Sequence, residues 1–275
     1  MIVFINPWWN TAQNQWHQNL MKAQEFIYRD TPVKRVILGS SLSALLIMDS
    51  LPDTKNLAFS GQSIFDGLEI LTQMERPPKE VYIETNMVMR GKNKYFAEAL
   101  SSPFPFPIKK HLPSLQEKNQ PLAVLGGVVT WQCTYKIIHL FKTQTTQPLT
   151  QQQVALKEAT LSYFISQNSQ LPKPEQITRV FTTLKRLVRE LEAKGITISF
   201  FEMPVHPELC DLPCPNAIRE AFSAYFPPSE YAYIPLPDCQ EYTTSDGYHL
   251  IHESSFRYAL YLKQHIQTAN WAYKE

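Results

Sequence analysis

Arg35-Val36-Ile37-Leu38-Gly39-Ser40-Ser41-Leu42 sets an apolar run directly before a glycine and two serines. Val36, Ile37 and Leu38 fit a short buried strand, and a serine just past such a strand fits the turn into a helix. The same strand, turn and helix order recurs downstream. Strands are predicted at 35–38, 55–58 and 80–83, with helices at 42–49 and on the face formed by Ile64, Phe65, Leu68 and Leu71. Pro77-Pro78 closes the second helix. This alternation predicts right-handed βαβ crossovers and a parallel sheet.

Past residue 90 the alternation stops. Residues 101–107 read Ser-Ser-Pro-Phe-Pro-Phe-Pro, 122–141 form an apolar helix candidate, and 143–153 are rich in Gln and Thr. Structureless segments this long inside a compact domain are usually functional or disordered. The expectation is one α/β domain over 1–275, in which 90–172 is an insertion: a cap that shapes a substrate site, or a decoration without a catalytic part. Gln132 and Lys136 interrupt 122–141, which is too broken for a bilayer span and reads as a buried or lid helix, with an interfacial membrane helix as the alternative.

Regular patterning resumes with Ile177, Val180, Phe181, Leu184, Leu187, Val188 and Leu191, apolar at helical intervals and stopped by Gly195. A strand at 196–201, a helix near 216–225, a strand at 231–234 and a helix at 254–269 complete the pattern. The predicted fold is a three-layer α/β/α doubly wound parallel sheet, flavodoxin-like, of about five strands. Ligands bind such sheets outside the carboxyl ends of the strands.

The 275 residues carry 26 basic and 25 acidic side chains, a net charge of +1, and 44% hydrophobic residues. That core is ample for one domain, and the charge gives no general attraction to nucleic acid or an anionic membrane. Cys133, Cys210, Cys214 and Cys239 lack paired zinc-site spacing and leave the redox compartment open. One bridge near Cys210, Cys214 and Cys239 would stiffen the loop before Asp246; free thiols are the alternative. Met1-Ile2-Val3-Phe4-Ile5 is too short for an export signal, and Asn6-Pro7 ends it. Trp8 and Trp9 suit sugar stacking or ordinary packing.

Asp246-Gly247-Tyr248-His249 supplies the partners that Ser41 needs. A hydroxyl is a weak nucleophile until a base takes its proton, so His249 is the candidate base and Asp246 the carboxylate that fixes its tautomer. The amides of Ser41 and Gly61 and the side-chain amide of Asn86 are candidate oxyanion donors. His206 is a candidate substrate contact after the fourth strand. His252 offers another base, or a metal site with Asp246 and His249.

These segments resemble, in order, the four sequence blocks of the SGNH (GDSL-like) hydrolase superfamily. The resemblance covers roughly 33–89 and 195–265. Gly39-Ser40-Ser41-Leu42 looks like the first block with Ser40 in the aspartate position, and Asn56 to Gly61 is similar to the second. Glu84-Thr85-Asn86 matches the third only at its asparagine, since Glu84 stands where a glycine is usual. The Gly-Ser-Ser start and the Asn-Leu-x-x-x-Gly-Gln-Ser stretch look most like the cell-envelope branch.

The resemblance implies a serine esterase or O-acyltransferase acting on ester-linked groups, such as those of a surface carbohydrate, with no cofactor. It also implies an extracytoplasmic setting and a membrane tether outside this chain, Met1 replacing a removed anchor. Substrate and oligomeric state stay open. Two other readings stand beside it: a catalytically silent glycan-binding module, motivated by Ser40 and Glu84, and a metal-dependent hydrolase using Asp246, His249 and His252.

Overall fold

The structure, a computed structural model, describes residues 7–29, 31–96 and 151–272. Two compact units divide the chain, residues 1–29 with 95–156 and residues 30–94 with 157–275. The 122–141 helix candidate and Cys133 lie outside the described residues. Among the described residues no helix is long and apolar enough to cross a membrane.

The first unit contains helix α1 (Pro7–Ile27), which carries Trp8 and Trp9. Leu20, Ala23 and Phe26, spaced three apart, are buried on it, and Trp16 meets Phe96 edge-on at 5.4 Å.

The second unit is built on five parallel strands in the order β2-β1-β3-β4-β5. They are β1 (Arg35–Leu38), β2 (Thr54–Asn56), β3 (Glu80–Glu84), β4 (Thr197–Phe201) and β5 (Ala232–Ile234). Alternate side chains face opposite layers. On one face Phe200 packs against Phe222 and Phe226, and Phe222 meets Phe181, so helices α5 (Pro174–Glu192) and α7 (Pro213–Tyr225) cover it together with α3 (Ile64–Gln73). On the other face Ile37, Tyr82, Phe201 and Ile234 share a core with Tyr258, Ala259, Leu262 and Ile266 of α8 (His252–Ala272). The domain is therefore a three-layer α/β/α doubly wound sheet.

The periodic segment is α5, with Pro174 in its first turn and Phe181, Leu184, Leu187, Val188 and Leu191 buried. Each such side chain contributes roughly 1.5–3 kcal/mol when fully removed from water. The 42–49 segment departs from its expected single helix. It forms a short α2 (Ser41–Ala44) and then a 3-10 turn over Met48–Ser50. The amide of Asn56 and the N–H of Leu46 both donate to the Ser43 carbonyl, at 2.7 and 3.1 Å, which ends the α-helical ladder early.

Strand order reverses beside β1, because β2 lies on one side of it and β3 to β5 on the other. Such a switch point leaves a crevice at the carboxyl ends, and Ser41 follows β1 there by three residues.

Candidate active site

The turn that carries Ser41 is held from beneath by Glu84, the last residue of β3, which is fully buried at 0% exposure. Its carboxylate accepts from the Ser40 N–H at 3.0 Å and hydroxyl at 2.6 Å, and from the Ser43 N–H at 3.1 Å and hydroxyl at 2.5 Å. Ser40 is the N-cap of α2, and its oxygen also accepts from the Leu42 N–H at 3.2 Å. Gly39 must lack a side chain here: a Cβ would lie 1.9 Å from Ser43 Oγ and 2.4 Å from Glu84 Oε2. The second segment is stitched to the same turn. Asn56 receives the Ala58 N–H at 2.9 Å while donating to Ser43, and the Phe59 N–H reaches the Gly39 carbonyl at 3.4 Å.

Ser41, His249 and Asp246 come together in one chain of contacts. Ser41 Oγ lies 3.0 Å from His249 Nε2, and His249 Nδ1 lies 2.6 Å from Asp246 Oδ2. A carboxylate only accepts, so the neutral imidazole carries its proton on Nδ1 and turns the Nε2 lone pair toward the serine. The other oxygen, Asp246 Oδ1, accepts the backbone N–H groups of His249 at 2.8 Å and Tyr248 at 3.0 Å. Partial burial pushes the Asp246 carboxyl up, but the His249 N–H, the His249 ring and the Tyr248 N–H outweigh it and hold the group below the usual range.

The Asp/His turn is braced from several sides. Gly247 has φ 100°, and His206 donates its backbone N–H to the Gly247 carbonyl at 2.8 Å. Helix α4 (Gln151–Asn168) supplies Lys157, which donates to the Thr244 carbonyl at 3.1 Å, and Phe164, which meets the Tyr248 ring edge-on at 4.7 Å. Asn168 donates to the Tyr248 hydroxyl at 2.6 Å. Helix α6 (Pro207–Cys210) carries buried Leu209, and Cys210 is bonded to Cys239; Cys214 is a free thiol that burial pushes up in pKa. The Ser255 hydroxyl on α8 donates to the Leu45 carbonyl at 3.0 Å, joining the helix after His249 to the segment after Ser41.

The oxyanion candidates differ in what they have left to offer. The Ser41 N–H has no acceptor among the described residues, although Glu84 takes the N–H groups at 40 and 43 on either side. Gly61 is exposed with φ 74°, two residues past Phe59. Asn86 pairs with the backbone of Met203, receiving its N–H at 2.7 Å and donating to its carbonyl at 2.9 Å. One N–H of the Asn86 amide remains for a ligand.

His206 caps α6, its Nδ1 facing the Glu208 N–H at 3.4 Å. His252 is exposed at the start of α8. Asp246 takes the Nδ1 side of the His249 ring and Ser41 faces Nε2, and no metal-binding cluster forms among the described residues.

Beyond the residues named from the sequence, the site draws on Glu84 as an anchor and on Lys157, Phe164 and Asn168 as braces. Glu84 carried a signal, because a carboxylate ending the buried run Val81-Tyr82-Ile83 requires partners. A cleft of about 250 Å³ in the same unit is lined by Met89, Gln167, Gln170, Gln176, Arg179 and Cys214, among others.

No protein-family model matches this sequence, and no curated protein matches it. Among solved structures the chain is similar to a protein from Streptococcus pneumonia, provisionally described as a platelet activating factor. The two share 12% identity with a TM-score of 0.46, over 95% of this chain and 99% of that one. A likeness at that level carries no argument about chemistry, which rests on the geometry above.

Proposed function

We propose that this chain is a serine esterase or O-acyltransferase of the SGNH (GDSL-like) type, working through an acyl-Ser41 intermediate. The observation that carries the reading is the unbroken line from Ser41 Oγ through the His249 ring to Asp246, at 3.0 and 2.6 Å. In the first step Ser41 Oγ bonds to the ester carbonyl carbon and its proton passes to His249 Nε2. The carbonyl oxygen becomes an oxyanion, received by the Ser41 and Gly61 N–H groups and the remaining Asn86 N–H; each such donor is worth about 3–4 kcal/mol of barrier. The ester C–O bond then breaks, and the leaving oxygen takes the proton from His249. Water or a sugar hydroxyl reverses the sequence and frees Ser41.

An ester-linked acyl group on a carbohydrate is the substrate class we favour. The envelope-like Gly-Ser-Ser start supports it. The silent-module reading loses its motive, since Ser40 and Glu84 bond each other beneath the nucleophile. A metal site would have to take the Nε2 lone pair that faces Ser41 Oγ. The test is incubation with an activated acetyl ester, with and without a sugar acceptor. Acetate release or acetylated sugar supports the reading; neither product from folded protein refutes it.

A further inference from the structure

We infer that Glu84 is a positioning residue for the nucleophile: its carboxylate fixes the Ser40 to Ser43 backbone so that Ser41 meets His249 with its own N–H unclaimed. This inference rests on the serine-enzyme reading above.

Four donors converge on this one buried group, two from the main chain and two hydroxyls, and they come from residues 40 and 43 alone. Four donors fill the acceptor capacity of a carboxylate. Among the described residues Glu84 makes no ion pair, so these donors offset its burial. The selection of donors matters as much as their number. Taking the N–H groups at 40 and 43 and sparing the one at 41 leaves the central amide available to an oxyanion.

Compared with the sequence blocks this chain resembles, a carboxylate is missing at Ser40 and has been gained at Glu84. Since Ser40 Oγ and Glu84 Oε1 are 2.6 Å apart, the two departures are halves of one contact. A carboxylate carried on residue 40 would therefore occupy the space that Glu84→Gly vacates.

The test measures the rate of fluorophosphonate labelling, and kcat and KM for an activated acetyl ester, in wild type, Glu84→Gln, Ser43→Ala and the double variant Ser40→Asp/Glu84→Gly, all below their melting temperatures. A misplaced nucleophile costs up to about 100-fold in rate. Glu84→Gln is expected to lower kcat and labelling by about 10- to 100-fold with KM unchanged. Ser43→Ala, which removes one donor, falls between it and wild type, and the double variant regains most of the loss.

Folded Glu84→Gln that labels like wild type overturns the inference, as does a folded double variant that regains nothing. If Glu84→Gln does not fold, Ser43→Ala decides alone, and wild-type kinetics in it overturn the inference. Wild type that fails to label at Ser41 refutes the enzyme reading instead, so the two failures are distinguishable.

Discussion

Asp246 holds His249 twice and its neighbour Tyr248 once: Oδ2 takes the His249 ring at 2.6 Å, and Oδ1 takes the His249 N–H at 2.8 Å and that of Tyr248 at 3.0 Å. The carboxylate thus folds its own turn and sets the imidazole tautomer in the same act. Asp246→Asn presents an amide that donates where an acceptor is needed. Its kcat for an activated ester should drop by about four orders of magnitude, with KM little changed, in steady-state assays.

The same contacts make a pH signature. Because the folded Asp246 pKa lies below its ordinary value, its contribution to stability is complete above the unfolded pKa and is lost as pH falls through the folded one. Melting temperatures of wild type and Asp246→Asn, measured from pH 7 downward, should differ by a constant amount until roughly pH 4 and converge below it. A gap that widens toward low pH would contradict the sign.

Gly247→Ala tests the turn from its backbone. The native φ of 100° disfavours a side chain, and a Cβ would come within 3.2 Å of Leu161 and 3.4 Å of Leu209. A loss of about 1–2 kcal/mol in denaturant unfolding is expected, with reduced turnover as His249 shifts.

The Cys210–Cys239 bridge closes a loop with a sequence separation of 29, which ends shortly before the Asp/His turn. Chain entropy assigns such a loop about 3–4 kcal/mol. Cys239→Ser should lower thermal stability accordingly, and a reductant should shift wild type but not the variant in calorimetry.

Much of this site was legible because its parts are local. A strand followed by Gly39-Ser40-Ser41, or a D-x-x-H turn, is written within a few consecutive residues. The sheet was legible for the same reason: Val36 to Leu38, Val81 to Ile83 and Ile198 to Phe201 are buried runs, and the α5 stripe marks a helix packed on one side. What the sequence hid is non-local. Glu84 lies 44 positions from Ser40, and Asn168 lies 80 from Tyr248, so neither partner announces the other. Helix α1 has no clear apolar stripe in the sequence, where Asn10, Gln13, Asn14, Gln15 and Gln18 interrupt the apolar residues. The strand expected at 55–58 is β2 at Thr54–Asn56, yet the Leu57 and Phe59 N–H groups still follow β1 by bonding the carbonyls of Ile37 and Gly39.

All of this converges on whether the Ser41 hydroxyl is a nucleophile. Folded protein treated with a fluorophosphonate, digested and mapped by mass spectrometry, should carry the adduct on Ser41, and His249→Ala should slow its formation by at least about a thousandfold. An unmodified Ser41 in folded wild type, or a label on another residue, would contradict the account.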